Sequence, residues 1–354
     1  MAKPIVEIFQ PVDESGASHD RLRDAGIDLV LPEGTWADRA NIPGSVEANF
    51  NPGAVVAAGV SSRSNLLTAK TLDGSPDLRM VVYYTVGYDN VDFDAAIEKG
   101  VLIVHSPTES NWGGVAEGVF AYILAMLKKV RERDKWVKDG QWRDPSLMGT
   151  YLGARQIDDY PGLTVGIIGL GRIGGRLADL MAPWRMNLIA YDPYIDDSVY
   201  VHHNVKKVGL DTLLRESDIV TVHCVLSKET MNFIGAEEIA KMKPTAILAN
   251  HARGMIVDVD ALFDALDKDQ IAGAVLDVLP EEPPDPQSPI LGLGEKLLIS
   301  PHMVAGNKGT GLMMAVPWVE KAILDVLGGE IPKHVVNEDV LPLWKERFAG
   351  KSLI

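Results

Sequence analysis

The stretch VGIIGLGRIGGRLADLM, Val165 to Met181, decides how this chain is read. An apolar run leads into three glycines, Gly169, Gly171 and Gly174, and the residues after them follow a helical period. A second apolar run, NLIAYD, ends in Asp192, 18 residues past Gly174. That is close to the roughly 20 residues that separate a phosphate-binding glycine turn from a ribose-binding carboxylate. On this reading Gly169 permits the tight turn, Gly171 lets a pyrophosphate approach the backbone, and Gly174 lets helix and strand pack closely. Free N–H groups at the helix start would meet the phosphate charge. Asp192 would bind ribose hydroxyls and repel a 2′-phosphate, so NAD is favoured over NADP. The competing reading is a structural βα turn with no ligand.

Length and composition frame that motif. The chain has 354 residues, which predicts two domains, with 46% hydrophobic and 23% charged residues, a globular balance. A formal net charge of -15 argues against nucleic acid or an anionic membrane as partner, since both need basic surface. A single cysteine, Cys224, excludes an intrachain disulfide and a cysteine-rich metal site, and no metal is expected. The opening residues MAKPIVEIFQP lack the apolar core of a signal peptide, and the longest apolar run, about 119–127, falls far short of the roughly 20 residues of a bilayer span. A cytoplasmic protein is expected.

Short apolar runs alternate with amphipathic stretches along most of the chain, the pattern of βα units and parallel sheets. Strands are expected at 5–9, 55–60, 80–84 and 102–105, with helices at 18–25 and 93–99 and a stop at Gly100. The sequence from Glu117, EGVFAYILAMLKKVRERDKWV, reads as one helix with a basic end. Residues 139–162 have no clear period and read as a connector. From Leu163 the rhythm restarts, with strands at 164–168, 188–191, 219–223, 246–250, 273–276 and 297–300 and helices at 177–181, 211–215, 237–241 and 258–266. After Pro301 one long helix is expected over 309–327, kinked at Pro317. The fold class is therefore α/β. A doubly wound domain over 119–302 is nested within a second one, 1–118 plus 303–354, with two hinges crossing a cleft.

Three segments place reactive side chains just after apolar strands: Arg253 in ILANHARGMIVD, Asp277, Glu281 and Glu282 in AVLDVLPEEPPDP, and His302 in LLISPHMVAG. Open α/β sheets place ligands at these strand ends. Singly, each has a plain alternative: a salt-bridged arginine, a solvated glutamate, a packed histidine. Together, downstream of a dinucleotide loop, they form a set suited to hydride transfer. A cation holds a carboxylate and polarises a carbonyl, and an imidazole moves the proton. A neighbouring carboxylate favours the protonated form of an imidazole.

With these motifs in view the sequence resembles the NAD-dependent D-2-hydroxyacid dehydrogenases. The resemblance runs from about residue 50 to 330. It rests on VGYDNVD (86–92), SNWGGVAE (110–117), VGIIGLGRIG (165–174), NHARGMIVD (250–258), DVLPEEP (277–283) and SPH (300–302). It implies a Rossmann domain nested within a flavodoxin-like catalytic domain, with NAD as cofactor. The substrate would be a small 2-keto or 2-hydroxy acid, and the assembly a homodimer to which residues 131–160 contribute an arm. It assigns Arg253 to substrate binding, His302 to acid–base chemistry and Glu282, which precedes Pro283, to pairing with that histidine. Gly169, Gly171, Arg172, Ile173, Gly174, Asp192, His223, Cys224, Thr230, His251, Ala252, Asp277 and Ala305 would line the cofactor, with Asp277 on the nicotinamide carboxamide. Val86, Gly87 and Asn111 would bind substrate beside Arg253. Side-chain selectivity is expected in 59–65, in a loop at 109–113 and in the C-terminal helix, where Trp112 and Trp318 stand as candidate pocket walls. Departures from the family pattern are Val225 where proline is common, a long 141–161 segment, Pro317, and the tail 342–354. Alternatives on the same scaffold are a phosphite or formate dehydrogenase and an NAD(H)-sensing, corepressor-like binding protein.

Overall fold

The computed structural model describes residues 2–34, 36–40, 44–61, 67–88, 91–309 and 311–354. Part of the expected selectivity loop, 62–65, and residues 89 and 90 of the VGYDNVD motif lie outside them. The chain divides into two compact units, one built from 1–111 and 306–354, the other from 112–305. The sequence expectation set these breaks after 118 and after 302.

The first unit holds a five-stranded sheet of β1 (Ile5–Ile8), β2 (Asp28–Val30), β3 (Ala54–Gly59), β4 (Met80–Tyr83) and β5 (Leu102–Val104), in the order β2-β1-β3-β4-β5 and parallel throughout. That is the flavodoxin order. Strand β2 escaped the sequence reading because a partly exposed edge strand carries no long apolar run. The helix Phe93–Lys99 ends, as expected, at Gly100 in the left-handed region (φ 70°).

The long kinked helix expected over 309–327 is instead a 3₁₀ turn, Leu312–Ala315, followed by the helix Val316–Leu327. Pro317 sits in the first turn, where its missing N–H costs nothing, so it starts the helix and does not kink it. Val319, Ile323, Val326 and Leu327 pack against β1, β3 and β4.

The unassigned tail also belongs to this core. The helix Leu341–Phe348 buries Trp344 completely, and the indole Nε1 donates to Arg79 O at 3.0 Å. Buried Arg79 donates to Val326 O (3.2 Å) and Lys351 O (2.8 Å), with its guanidinium 5.0 Å from the centre of the Phe348 ring.

The second unit holds β6 (Thr164–Ile168), β7 (Asn187–Tyr191), β8 (Lys206–Lys207), β9 (Ile219–Val222), β10 (Ile247–Asn250), β11 (Gly273–Leu276) and β12 (Leu297–Ile299). Their order is β12-β11-β10-β9-β6-β7-β8, all parallel. This is the doubly wound dinucleotide-binding order with one further strand, and its switch point lies between β6 and β9. Strands β9, β10 and β11 are buried at every position. Alternate residues serve opposite faces: Val220, Val222 and Leu248 join one core, Ile219, Ile247 and Ala249 the other. The two-lysine edge strand β8 gave no apolar signal.

The single helix expected from Glu117 is two, Glu109–Leu127 and Val130–Lys138, broken where Lys129 turns left-handed (φ 51°). The ammonium groups of Lys128 and Lys129 are drawn to carbonyls of the connector, Thr150 O (2.6 Å) and Ser146 O (2.8 Å). The expected loop 109–113 is the first turn of the earlier helix. Its Gly113 and Gly114 are buried, so close packing offsets their poor helix propensity.

Candidate active site

Strand register brings the candidate residues of the second unit to one edge. Ile168 stands opposite Tyr191 and Val222, Asn250 opposite Val222 and Leu276, and Leu276 opposite Ile299. The next residue along each strand is therefore, in order across the sheet, Asp192, Gly169, His223, His251, Asp277 and Ser300. All six leave the carboxyl end of a parallel sheet, on either side of the switch point.

The three glycines are there for different reasons. Gly169 has φ 90°, and a Cβ there would lie 2.6 Å from Cys224 N. A Cβ on Gly174 would lie 2.2 Å from Gly169 O. The fold itself demands both. A Cβ on Gly171 would meet no protein atom within 4 Å. Gly171 is exposed and forms the N-cap of the helix Arg172–Met181, and no side chain caps the first-turn N–H groups. A diphosphate fits this cradle, and Gly171 is the glycine it would require. Arg172 is exposed and Ile173 half-buried at the same helix start. Asp192 is held by Leu170 N on Oδ2 (3.0 Å) and Tyr194 N on Oδ1 (3.0 Å), with its own N–H and C=O both bonded to the Tyr200 hydroxyl (2.9 and 2.8 Å).

His223 and His251 follow β9 and β10. His223 bonds Thr221 Oγ1 through Nε2 (2.8 Å), while its Nδ1 and both ring nitrogens of His251 are shut from solvent without a hydrogen-bond partner. Burial pushes both imidazoles down to about 3, helped at His251 by the proximity of His223, so both are neutral. A buried polar atom left unpaired costs about 1–3 kcal/mol, and a ligand with donors and acceptors would supply the missing partners. Cys224 is half-buried, its thiol pushed up to about 11 by burial and so protonated. The Thr230 hydroxyl holds its own loop, donating to Val225 O (2.6 Å) and accepting from Ser227 N (2.7 Å).

The loops after β10, β11 and β12 are stitched together. Asn250 pins the first, accepting from Ala252 N (3.1 Å) and donating to Arg253 O (2.9 Å). Arg253 Nη1 donates to Ala252 O (2.7 Å). A Cβ on Gly254 would lie 2.0 Å from Leu279 C, so the arginine loop packs directly on the Leu279–Pro280 backbone. Glu282 reaches back into that turn, accepting from Leu279 N on Oε1 (3.0 Å), and its Oε2 binds His302 Nδ1 at 2.7 Å.

His302 itself stands in the left-handed region (φ 54°), a conformation that costs a non-glycine residue about 1–2 kcal/mol. Asp277 holds it there. Its carbonyl accepts from His302 N (2.9 Å), and its carboxylate accepts from Met303 N (2.9 Å), Val304 N (3.1 Å) and the Ser300 hydroxyl. Burial pushes the Asp277 carboxyl above its usual range. Ala305 ends the loop, half-buried.

Ser300 and Thr221, which carry second bonds to Asp277 and His223, went unnoticed in the sequence. Ser300 lies within the quoted SPH motif, and Thr221 stands two positions before His223, on the same face of its strand.

In the first unit, Val86 O accepts from His105 Nδ1 (2.8 Å), and Gly87 O accepts from the Thr85 hydroxyl (2.8 Å). Asn111 lies in the first turn of its helix, with its N–H on Thr108 O (3.1 Å). Trp112 is half-buried, and the Trp318 ring stacks on His334 with centroids 4.9 Å apart.

Known proteins are similar to this chain in sequence and in fold. Residues 120–304, a little over half of the chain, match the family model described as D-isomer specific 2-hydroxyacid dehydrogenase, NAD binding domain. A glyoxylate reductase from Korarchaeum cryptofilum is 34% identical over 345 residues, 96% of this chain and 97% of that one. A D-3-phosphoglycerate dehydrogenase from Archaeoglobus fulgidus is 35% identical over 269 residues, 76% of this chain but 49% of its own length. Among solved structures, a D-lactate dehydrogenase from Aquifex aeolicus in complex with NAD and lactic acid superposes with a TM-score of 0.77 at 27% identity, covering 90% of this chain and 94% of that one. With an open glycine turn after β6 and a carboxylate-paired imidazole after β12, this chain belongs to the D-isomer specific 2-hydroxyacid dehydrogenases, an NAD-binding oxidoreductase of that family.

Proposed function

We propose that this enzyme reduces a small 2-keto acid to the D-2-hydroxy acid with NADH, and that Arg253, Glu282 and His302 carry the chemistry. The observation behind this is the 2.7 Å bond between His302 Nδ1 and Glu282, on a loop packed against that of Arg253. Bound NADH supplies the hydride. The Arg253 guanidinium holds the substrate carboxylate and draws charge toward the carbonyl oxygen. With Nδ1 engaged by Glu282, the other ring nitrogen of His302, Nε2, gives its proton to that oxygen. Glu282 fixes the ring and balances its positive charge. In the oxidative direction Nε2 takes the proton back.

The cofactor roles proposed above for Gly169, Gly171, Arg172, Ile173, Gly174, Asp192, His223, Cys224, Thr230, His251, Ala252, Asp277 and Ala305 rest on the same edge. Asp277 Oδ2, with one backbone donor, has capacity for the carboxamide N–H. A carboxylate at 192 favours NADH over NADPH. For Val86, Gly87 and Asn111 the proposed substrate contact rests on sequence resemblance alone.

Among the described residues no helix is long and apolar enough to cross a membrane. The connector exposes Trp142 (69%), Met148 (73%) and Ile157 (102%), which supports a homodimer joined through residues 131–160. A cytoplasmic location completes the proposal.

The test is a panel of 2-keto acids with NADH, with glyoxylate first because the relative matched over nearly its whole length is named a glyoxylate reductase. Steady NADH oxidation with one or more acids is expected. Tight NADH binding without turnover on any acid would favour a sensor, and turnover confined to phosphite or formate would favour the other dehydrogenase chemistry.

A further inference from the structure

The loops that follow the two neighbours of the glycine-turn strand are joined by a side-chain bond. Strand β6, which carries that turn, lies between β7 and β9. Tyr194 stands in the loop after β7, Glu229 in the loop after β9, and the Tyr194 hydroxyl donates to Glu229 Oε2. The bond therefore links loops whose strands lie two strand spacings apart, about 10 Å, with β6 between them. It lies on the Asp192 side of the crevice, because Tyr194 N donates to Asp192 Oδ1 at 3.0 Å. One tyrosine thus connects two carboxylates, and both act on its phenol. Its proton is held above the usual tyrosine range, first by the hydrogen bond to Glu229, with Asp192 adding to the effect. Both side chains of the bridge are exposed, so nothing in the core requires it.

We propose that Tyr194 and Glu229 form a clasp over the adenosine end of the dinucleotide site, and that Glu229, held there by Tyr194, is a second residue selecting against a 2′-phosphate. Asp192 alone presents one negative charge to the ribose. Two carboxylates tied to one tyrosine, Asp192 at its backbone and Glu229 at its hydroxyl, add their repulsion toward a dianionic phosphate. A ribose with free hydroxyls carries no charge for them to repel. The inference rests on the proposed NAD preference and adds residues to it.

The test measures dissociation constants for NADH and NADPH by tryptophan fluorescence in wild type, Asp192→Asn, Glu229→Gln and Tyr194→Phe. Glu229→Gln is expected to tighten NADPH by about two- to fivefold, the range that an exposed charge contact supports, with little change for NADH. Tyr194→Phe should act in the same direction and more weakly, by freeing Glu229. In ultraviolet titration the difference between wild type and Tyr194→Phe should show a tyrosine ionising above pH 10 that moves down in Glu229→Gln. A selectivity ratio that shifts in Asp192→Asn but not in Glu229→Gln overturns the clasp and leaves the NAD reading standing. A ratio unmoved by Asp192→Asn overturns both.

Discussion

The two parallel sheets use their carboxyl edges differently. In the first unit, most polar side chains at that edge bond neighbouring backbone, although the buried Gln10 Nε2 and His19 Nε2 have no hydrogen-bond partner. Gln10 Oε1 accepts from Val60 N (3.0 Å), Thr85 Oγ1 accepts from Ser61 N (3.1 Å), Ser106 donates to Tyr83 O (2.8 Å) and His105 bonds Val86 O (2.8 Å). Asp13 likewise takes both the N–H and the hydroxyl of Ser18 and of Ser15. In the second unit the exits carry a bare glycine, ring nitrogens without partners at His223 and His251, and an imidazole raised on a left-handed residue. One edge fixes its loops and offers backbone, while the other offers side chains. Topology of the same class does not decide chemistry, which lives in what the strand exits are given to do.

Substitutions can break or sharpen that contrast. The largest effect is expected at His302→Ala, where turnover should fall by about 10²–10⁴ while NADH binding stays unchanged. A loss in binding equal to the loss in turnover would make His302 a structural residue.

In the first unit the large effects should be on stability. Trp344→Ala removes a fully buried indole and should cost about 3–5 kcal/mol in urea unfolding, lowering activity only as the folded fraction falls. A folded, stable variant would detach the tail from the core.

The glycine turn divides the same way within a few residues. Gly169→Ala should destabilise by about 2–4 kcal/mol, through its positive φ and its contact with Cys224. Gly171→Ala should unfold within about 0.5 kcal/mol of wild type and yet lose NADH affinity by at least about tenfold. Equal stability losses would mean that the fold, not a ligand, explains Gly171.

The contrast also shows in pH dependence. His251 and His223 protonate near 3 in the folded chain, against 6.5 for an ordinary histidine. The unfolded chain therefore takes up protons first as pH falls, and stability is full above about 6.5 and drains between there and 3. The slope from each histidine approaches about 1.4 kcal/mol per pH unit. His251→Gln should flatten the stability profile between pH 4 and 6, and an unchanged slope would place the acid sensitivity elsewhere.

Much of this was legible in the sequence because it is local. A glycine spacing, an acidic residue after the next strand and apolar runs buried on both faces are each written in consecutive residues. Arg253, Glu282 and His302 could be assigned by motif, and register then places their loops on one edge. What escaped depends on tertiary context. Strand β2 is a short edge strand whose apolar run is only Leu29 to Leu31, and β8 is an edge strand of two lysines. Pro317 reads as a kink unless the helix start is known. Lys129 breaks a helix because connector carbonyls attract neighbouring ammonium groups. The tail looked spare because the floor for Trp344 is built by Arg79, far away in the chain. The Tyr194–Glu229 bridge joins loops from two strands that flank a third, a relation no spacing encodes.

The most direct measurement follows the hydride. NADH carrying deuterium at both C4 positions of the nicotinamide, incubated with the enzyme and a 2-keto acid larger than glyoxylate that it turns over, should give a D-2-hydroxy acid one mass unit heavier with the label at C2. The label should be lost together with turnover in His302→Ala. Product of the L configuration, or D product without deuterium at C2, would contradict the account.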